Sequence, residues 1–487
     1  MSNSPQVADT HDRLLFEKDR PGSAVMRLPK LDVPAEGRLP GELRRQQLPL
    51  PSLPEVEVVR HYTALSRKNF GVDTGFYPLG SCTMKYNPRV NEAVARLPGF
   101  SQLHPFLPET HCQGALRLMH ELEQLLCAIT GMDAYTLQPA AGAHGEFTGV
   151  LVMKAHFDAI GEKRRKMLIP DSAHGTNPAS VALSGFESVE LKGGPDGCVD
   201  LDALERAMDS DVVGMMLTNP NTHGLFEKDI LEIARIVHEH GGLLYGDGAN
   251  ANALLGVARF GDLGFDLIHL NLHKSFSTPH GGGGPGSGPL GVKRNLEQFL
   301  PAPRVKKTDD GYALDRNAPQ SIGRMKAFWG NFAMLLRAYA YIRANGPEGL
   351  RGIAEDAVLG ANYLRARLCR TYRAAFPGSC MHEFILSDEG IPNGVTTADI
   401  GKRLLDFGVH APTIYFPLTV KGAMMIETAE TESRERLDHF AGAMERIASE
   451  SRDEPGKVRG APWTTSVRRL DGVLAARKPV LRWNAQP

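Results

Sequence analysis

One stretch carries most of the information about the fold, HLNLHKSFSTPH at residues 269–280, and it continues into the glycine-rich segment GGGGPGSG at residues 281–288. Residues 265–272 form an apolar run typical of a buried strand, and the glycines that follow Lys274 are tolerated by no regular helix or strand. A lysine at the carboxyl end of a strand, beside histidines and a flexible backbone, suits an enzyme that holds an aldehyde cofactor as an imine. An exposed lysine at a strand end is the ordinary alternative.

A second strand pattern, GLLYGDGAN at residues 242–250, contains the acidic residue Asp247. Because parallel strands open at the same edge of a sheet, Asp247 and Lys274 could share one cleft. The pair fits pyridoxal phosphate: the lysine forms the imine, and the carboxylate keeps the pyridine nitrogen protonated so that the ring accepts electrons. Each residue alone is common in α/β proteins. Together with His273 and the glycine loop, the pair predicts a pyridoxal-phosphate site.

Composition sets the class of protein. The chain has 487 residues, of which 42% are hydrophobic and 23% charged, and its formal net charge is -1. These values indicate a globular protein with a large core, and they give no indication of nucleic acid or a membrane surface as a partner. The six cysteines are scattered without CxxC spacing, which argues for a reducing compartment and against a cysteine-rich zinc site. The N-terminus lacks a signal-peptide pattern and no apolar run reaches about 18 residues, so we expect a cytoplasmic location.

Strand and helix patterns alternate through the middle of the chain. Further strands are predicted at residues 166–169 and 212–218, and helices at residues 114–130, 147–156 and 229–240. Unusual loops follow the carboxyl ends of the strands, as in open α/β sheets that bind ligands there. The sequence therefore predicts an α/β fold with a mostly parallel central sheet.

The pattern changes towards both ends of the chain. Residues 1–60 are rich in proline, arginine and leucine and predict an extended arm, for which a disordered tail is the alternative. Residues 61–344 form the large cofactor-binding domain of this interpretation. Residues 345–487 mix strand-like and helical segments and predict a small C-terminal α+β domain with a tail.

Two loops offer further contacts for a cofactor. Gly142, Ala143 and His144 precede the helix predicted at 147–156, where small residues let backbone N–H groups approach a phosphate and the helix dipole favours it. A tight turn between helices is the alternative. His174 follows the strand at 166–169 and could stack on a cofactor ring, or it could cap the next helix through nearby hydroxyl groups.

The loop after the strand at 212–218 holds Asn219 and Thr222, which could hydrogen-bond the ring hydroxyl of a cofactor or the substrate. Two other motifs are misleading. Residues 286–291 match GxGxxG, but no βαβ unit surrounds them, and no phosphate-binding GxxxxGK[ST] motif lies near the glycine run. The histidines of residues 238–240 lie at a predicted helix end, where a solvated face is commoner than metal ligation, so we expect no metal.

A long loop carries a family resemblance. Within it, FYPLGSCTMKYNP at residues 76–88 resembles the corresponding segment of glycine dehydrogenase (decarboxylating), the P-protein of the glycine cleavage system. The resemblance extends from LPKLDVP at residues 28–34 to RKPVLRW at residues 477–483. The chain length and the HGE sequence at residues 144–146 are similar to subunit 2 of the two-chain bacterial type, the half that bears the cofactor.

The resemblance implies fold type I of the pyridoxal-phosphate enzymes, the aminotransferase-like fold, and assembly with a subunit 1 as an α2β2 particle. It makes Lys274 the covalent cofactor lysine, Asp247 the partner of the pyridine nitrogen and His174 the ring-stacking residue. The phosphate would then be held by His273 and the loop that contains Gly142, Ala143 and His144. Asn219 and Thr222 are further cofactor contacts in this interpretation.

The resemblance also implies a reaction. Glycine loses its carboxylate as carbon dioxide, and its aminomethyl group passes to the lipoyl disulfide of H-protein, with His174 or the freed Lys274 supplying a proton. AAGAHGE at residues 140–146 differs from the NSGAQGE of single-chain relatives, so side-chain contacts to the phosphate do not transfer. Ser277-Thr278 and Thr428-Ala429 also depart from the family pattern. Two alternatives stay open: another fold type I enzyme, such as a desulfurase or transaminase, and a catalytically silent scaffold subunit.

Overall fold

The computed structural model describes residues 13–20, 22–23, 29–33, 40–45, 50–281 and 286–482. The chain divides into two compact units, Met1–Gly71 and Val72–Pro487. The described part of the first unit contains helix α1 (Glu55–Arg67), whose one buried residue is His61. The arm predicted over residues 1–60 falls partly outside the described residues and stays a prediction.

Seven strands form the central sheet of the second unit: β1 (Ala134–Thr136), β2 (Lys166–Pro170), β3 (Glu187–Leu191), β4 (Val212–Thr218), β5 (Leu243–Gly248), β6 (Leu267–Leu270) and β7 (Leu290–Val292). Their order is β1-β7-β6-β5-β4-β2-β3. Strands β2 to β6 are parallel, and β7 is antiparallel to β1 and β6. The inner parallel strands β4, β5 and β6 are buried along their whole length because both faces of the sheet are covered there, whereas the edge strand β3 is mostly exposed.

The helices of the second unit are α2 (Arg89–Ala95), α3 (Pro98–Ser101), α4 (Gln113–Thr130), α5 (Gly142–Ala159), α6 (Thr176–Leu183), α7 (Leu201–Ala207), α8 (Ile230–Glu239), α9 (Leu272–Ser275), α10 (Phe332–Leu368), α11 (Thr397–Asp406), α12 (Arg434–Asp453), α13 (Pro455–Arg459) and α14 (Gly472–Arg477). The predicted limits of β2, β4, α4 and α8 are confirmed to within about one residue. Among the described helices, none is long and apolar enough to cross a membrane.

Two predicted boundaries near the site are wrong. Helix α5 begins at Gly142, where a helix was expected only from residue 147, so Gly142, Ala143 and His144 form its first turn and not a preceding loop. The strand expected at 265–272 is shortened to β6, because residues 272–275 turn into the short helix α9. Lys274 therefore lies in a helical turn just beyond the strand. The first error follows from the low intrinsic helix propensity of glycine, which tertiary packing overrides here.

The long helix α10 connects two hydrophobic cores. It is interrupted at Gly346, whose φ of 64° is accessible to glycine, and Pro347 follows. Buried residues of α10 up to Ala354 belong to the core around the central sheet, and those from Ala361 onward belong to a second core. The domain limits predicted at 344 and 345 stay a prediction.

The second core covers a four-stranded antiparallel sheet made of β10 (Arg373–Ala374), β11 (Glu383–Ser387), β12 (Thr413–Ile414) and β13 (Ala423–Glu427), in the order β10-β11-β13-β12. A separate hairpin is formed by β8 (Arg304–Thr308) and β9 (Gly311–Asp315). The FYPLGSCTMK loop reaches this small sheet, since Leu79 forms an antiparallel bridge with Ile426. A mostly parallel central sheet followed by a smaller C-terminal α+β region is thus confirmed.

Candidate active site

Asp247 and Lys274 lie at the same edge of the central sheet. Asp247 is in β5 and is paired in register with Thr218 of β4 and His269 of β6. Lys274 lies in α9, directly beyond the carboxyl end of β6, and its Nζ donates a 2.9 Å hydrogen bond to the carbonyl oxygen of Ser81. The positive charge of Lys274 also acts to lower the pKa of Asp247. The structure therefore brings the predicted lysine and carboxylate together, as parallel strands allow.

The Asp247 carboxylate is buried and surrounded by donors. Its Oδ2 accepts hydrogen bonds from Nδ2 of Asn177 at 3.2 Å and Oγ1 of Thr218 at 3.3 Å. Its Oδ1 accepts the backbone N–H of Ala249 at 2.9 Å and lies 3.3 Å from Nε2 of His269. Burial acts to raise the pKa of Asp247, but His269 and these donors outweigh it and hold the pKa below its usual value. Asp247 is therefore an ionised carboxylate inside the protein.

His174 lies in the loop before α6, at the same edge. Its Nδ1 accepts the backbone N–H of Thr176 at 3.3 Å, and its ring meets the ring of Phe416 edge-on at 5.8 Å between centroids. Desolvation and the charge of Lys274 lower the pKa of His174, while Asp247 acts in the opposite direction. The ring is neutral near pH 7, and its Nε2 is the nitrogen left to exchange a proton.

The first turn of α5 faces Asn271, the residue between β6 and α9. A Cβ atom on Gly142 would lie 2.6 Å from Oδ1 of Asn271, so a larger residue here would require the Asn271 side chain to move. The N–H groups of a first helical turn have no partner within the helix and favour an anion. His144 turns back on the loop, where its Nδ1 accepts the backbone N–H of Ala140 at 3.1 Å. Burial and the charge of Lys326 lower the pKa of His144.

His273 lies next to Lys274 and contacts the approach to β7. Its Nδ1 accepts the backbone N–H of Ser287 at 3.4 Å. Burial, followed by the charge of Lys274 and by His280, lowers the pKa of His273 to about 4. A neutral ring at this position can accept or donate a hydrogen bond without adding charge. Residues 282–285 of the predicted glycine loop lie outside the described residues.

Asn219 directly follows β4 and is fully buried. Its Oδ1 accepts the backbone N–H of Glu227 at 3.1 Å, whereas its Nδ2 has no protein partner in the described part of the chain. Thr222 is buried three positions further on, inside the turn closed by Asn221 and Leu225. Among the described residues, no hydrogen bond joins Thr222 to Lys274 or Asp247. Thr222 is therefore the predicted site residue with the weakest structural link to this pair.

Sequence reasoning missed two buried glutamates behind the Lys274 amine. Oε2 of Glu383 accepts the backbone N–H of Ser81 at 2.7 Å, and Oε2 of Glu427 accepts those of Cys82 at 3.0 Å and Thr83 at 2.8 Å. They lie on β11 and β13 of the small sheet and hold the loop that contacts the lysine. A glutamate at the end of an apolar strand pattern was the available signal, but its partner is more than 300 positions away.

A buried lysine supports the turn that carries Lys274. Nζ of Lys85 donates to the backbone carbonyl of Ser275 at 3.0 Å and to Oδ1 of Asn252 at 2.8 Å. It also forms an ion pair of 3.0 Å with Glu430. Burial lowers the pKa of Lys85, and the charge of Glu430 acts against this. The sequence placed Lys85 in a functional loop but gave no indication of this supporting position.

Comparison with known proteins identifies relatives along nearly the whole chain. The family model "Glycine dehydrogenase, C-terminal domain" matches residues 353–460. A protein of Caldanaerobacter subterraneus subsp. tengcongensis named probable glycine dehydrogenase (decarboxylating) subunit 2 is 56% identical over 97% of this chain and 99% of its own. A protein of Thermosipho africanus with the same name is 55% identical over 96% of this chain and 99% of its own.

Solved structures share the fold. A crystal structure of glycine decarboxylase (P-protein) of the glycine cleavage system, in inhibitor-bound form, aligns with a TM-score of 0.71 and 24% identity, over 84% of this chain and 93% of that one. A cysteine desulfurase from Thermococcus onnurineus aligns with a TM-score of 0.59 and 17% identity, over 77% of this chain and 95% of that one. The expected fold type I architecture is confirmed by these alignments. From the identity shared with full-length relatives, the chain belongs to the family of glycine dehydrogenase (decarboxylating) subunit 2.

Proposed function

We propose that this chain decarboxylates glycine with pyridoxal phosphate held on Lys274 and transfers the aminomethyl group to the lipoyl arm of H-protein. The observation that carries the proposal is the placement of Lys274 and the ionised Asp247 at one sheet edge, in a chain 56% identical to a probable glycine dehydrogenase subunit 2. A silent scaffold subunit has no use for a buried carboxylate that accepts three hydrogen bonds and lies 3.3 Å from His269, beside a strand-end lysine.

The residues at this edge fit the cofactor. Buried polar atoms without a protein partner among the described residues include Oδ1 of Asn177, Nδ2 of Asn219 and Oδ1 of Asn271. Such atoms cost stability unless a ligand or water satisfies them. Asn219 and Asn271 directly follow β4 and β6, and Asn177 lies in the first turn of α6. The first-turn N–H groups of α5, which have no partner within the helix, would suit a phosphate.

Each predicted residue receives one role in the proposal. Lys274 holds the cofactor covalently, Asp247 faces its ring nitrogen and His174 lies on its ring face. The phosphate contacts come from His273 and from the helix start formed by Gly142, Ala143 and His144. Asn219 and Thr222 are proposed contacts of the ring hydroxyl. When bound, pyridoxal phosphate supplies an electron sink for the electron pair left behind when a carboxylate leaves as carbon dioxide.

The protein's own groups support loss of a carboxylate. Asp247 maintains a fixed negative charge, which favours a protonated nitrogen facing it. Lys274 is held by the Ser81 carbonyl and can accept or return a proton at Nζ. His174 is neutral near pH 7 and can move a proton at Nε2, since its Nδ1 is occupied by Thr176. Apolar surroundings favour decarboxylation, because they destabilise an ionised carboxylate relative to carbon dioxide.

Partners follow from the same proposal. Relatives carry the name subunit 2, and a structure with this fold is titled a P-protein of the glycine cleavage system. We therefore assign lipoylated H-protein and a subunit 1 as partners, in an α2β2 particle. All six cysteines are free thiols, which supports the cytoplasmic location inferred from their scattered positions.

A panel of carboxyl-labelled amino acids tests the substrate. The full-length chain, reconstituted with pyridoxal phosphate, subunit 1 and lipoylated H-protein, is incubated with labelled glycine, alanine, serine or cysteine, and released carbon dioxide is counted. Glycine should exceed every other substrate. Release from another amino acid, or alanine formed from cysteine with release of sulfur, would instead identify a different enzyme of the same fold.

A further inference from the structure

Two polar side chains lie inside the central sheet behind Asp247. Tyr245 and His269 are on the adjacent strands β5 and β6 and are almost completely buried, at 0% and 1% exposure. The hydroxyl of Tyr245 is 2.9 Å from Nδ1 of His269, and Nε2 of His269 is 3.3 Å from Oδ1 of Asp247. The three side chains form a continuous line that ends at the carboxylate.

Helix α5 covers this line closely. A Cβ atom on Gly145 would lie 2.8 Å from Cβ of His269, and one on Gly149 would lie 2.2 Å from Cε2 of Tyr245. The two glycines are four positions apart and therefore share a face of the helix. That face lies directly on the two polar residues, so larger side chains would push α5 off the sheet. Tyr245 and His269 therefore have a fixed place, as a positioning role requires.

The charge and protonation of these three side chains depend on Asp247 at one end and Tyr245 at the other. Nε2 of His269 faces Oδ1 of Asp247 at 3.3 Å, and this contact favours the charged form of the carboxylate. Burial, with the charges of Glu146 and Asp247, raises the pKa of Tyr245 well above its usual value, so the hydroxyl keeps its proton. Nδ1 of His269 is the ring nitrogen that this hydroxyl contacts, at 2.9 Å.

Glu146 is a fourth polar residue, next to Asp247 and His269. Glu146 accepts hydrogen bonds from Oγ1 of Thr176 at 2.9 Å and Oγ of Ser180 at 3.0 Å. A carboxylate oxygen of Glu146 lies within 4.8 Å of a carboxylate oxygen of Asp247 and of a ring nitrogen of His269. Burial, followed by the charge of Asp247, raises the pKa of Glu146. Asp247 is thus the charged member of this carboxyl pair, and its hydrogen bonds decide how strongly it binds a proton.

We propose that Tyr245 and His269 are positioning residues, which hold Asp247 as a weak proton acceptor so that a proton between Asp247 and the cofactor's ring nitrogen stays on the nitrogen. The inference rests on the proposed function, since it needs pyridoxal phosphate at this edge. Each donor to a carboxylate lowers its affinity for a proton. Loss of one hydrogen bond to a charged group changes that affinity by about 10- to 100-fold. Without His269 the proton therefore shifts from the nitrogen towards Asp247, and the electron sink weakens.

Nitrogen NMR of the full-length chain, loaded with pyridoxal phosphate labelled at the ring nitrogen, tests the inference directly. The variants are His269→Leu, which removes the donor, His269→Gln, whose amide can still donate, and Tyr245→Phe, which releases the far end of the ring. Tyr135→Phe is the matched control, because Tyr135 is equally buried in the same sheet and its hydroxyl contacts Oγ1 of Thr130 at 3.0 Å.

We expect a wild-type signal at the protonated position, unchanged in Tyr135→Phe. In His269→Leu the signal moves towards neutral pyridine, kcat for glycine falls about 10- to 100-fold and KM changes little. His269→Gln retains most of the wild-type position, and Tyr245→Phe lies between them. If His269→Leu does not fold, the inference is tested by the position of the nitrogen signal in Tyr245→Phe, which should also move towards neutral pyridine.

Two failures are distinguishable. A folded His269→Leu or Tyr245→Phe variant that binds the cofactor and retains the wild-type nitrogen signal overturns the positioning role, as does a neutral ring nitrogen in the wild type. A wild-type chain that takes up no pyridoxal phosphate overturns the proposed function instead.

Discussion

The amine of Lys274 donates a hydrogen bond of 2.9 Å to the carbonyl oxygen of Ser81, 193 positions earlier in the chain. The N–H of the same Ser81 donates to Glu383 at 2.7 Å. A glutamate of the small sheet therefore fixes the loop that holds the lysine of the large sheet. Ser81 and Thr83 have φ values of 64° and 49°, which residues with side chains seldom adopt. The loop depends on its contacts for this shape.

Glu383→Gln and Glu383→Leu separate the hydrogen bond from the charge. Burial, followed by the charge of Glu427, raises the pKa of Glu383 well above its usual value, which favours the neutral acid. Glutamine keeps a neutral acceptor for Ser81, and leucine does not. We expect Glu383→Gln to bind pyridoxal phosphate as the wild type does, and Glu383→Leu to lose about 1–3 kcal/mol of stability in urea unfolding and roughly tenfold in cofactor affinity. Equal damage from both changes would show that the acceptor retained by glutamine is not sufficient to hold the loop.

Lys274→Ala and Lys274→Arg test the covalent attachment. Neither side chain can form an imine at this position, so treatment with borohydride should leave no reduced chromophore on the chain. The absorption spectrum and the mass of the reduced protein measure this. Lys154→Arg changes an exposed lysine that pairs with Asp158 at 3.2 Å, and it should label normally. A reduced chromophore retained in Lys274→Ala would place the attachment on another residue.

Lys85→Met should destabilise the fold, because it leaves Glu430 without its buried partner. Breaking one half of a buried ion pair costs about 3–5 kcal/mol. The loss would be measured by urea unfolding of the chain without cofactor. The double variant Lys85→Met with Glu430→Met removes both charges and should recover part of the loss. If the double variant were as unstable as the sum of the single changes, the two residues would not be coupled.

The pKa of His273 predicts a pH dependence of stability. Burial and the charge of Lys274 lower this pKa from its usual 6.5 to about 4, so the unfolded chain binds the proton first as the pH falls. The stabilising contribution is complete above about pH 6.5 and is lost progressively between about pH 6.5 and about pH 4. The wild type should lose unfolding free energy between pH 7 and pH 5. In His273→Gln this loss should be smaller by up to about 2 kcal/mol.

The exposed His104→Gln is the control for this measurement, and it should retain the wild-type pH dependence. An unchanged slope in His273→Gln would contradict the burial of a neutral His273 ring.

The sequence was sufficient to predict the placement of Lys274 and Asp247. Both follow apolar strand patterns, and the geometry of parallel strands places the carboxyl ends of such strands at one edge. The loop at residues 76–88 was recognised through its family resemblance, but its role required the structure. Its contacts with Glu383 and Glu427 join segments separated by more than 300 positions, and no local pattern encodes such a pairing.

Helix α5 shows a different limit of sequence reasoning. Gly145 lowers the intrinsic helix propensity ahead of the predicted start at residue 147, and Gly149 lowers it within the predicted helix. In the structure the same glycines allow α5 to lie on His269 and Tyr245. Local propensity and tertiary packing conflict at this point, and packing decides the outcome. Such conflicts concentrate at functional sites.

Exchange of labelled bicarbonate into the carboxyl group of glycine tests the central claim most directly. The purified full-length chain is assayed with pyridoxal phosphate and lipoylated H-protein, with and without subunit 1, and Lys274→Ala provides the blank. We predict exchange only when both chains and H-protein are present, since we propose that this chain supplies the cofactor site of a two-chain glycine decarboxylase. No exchange in any combination, from a chain that carries the cofactor on Lys274, would contradict glycine as the substrate.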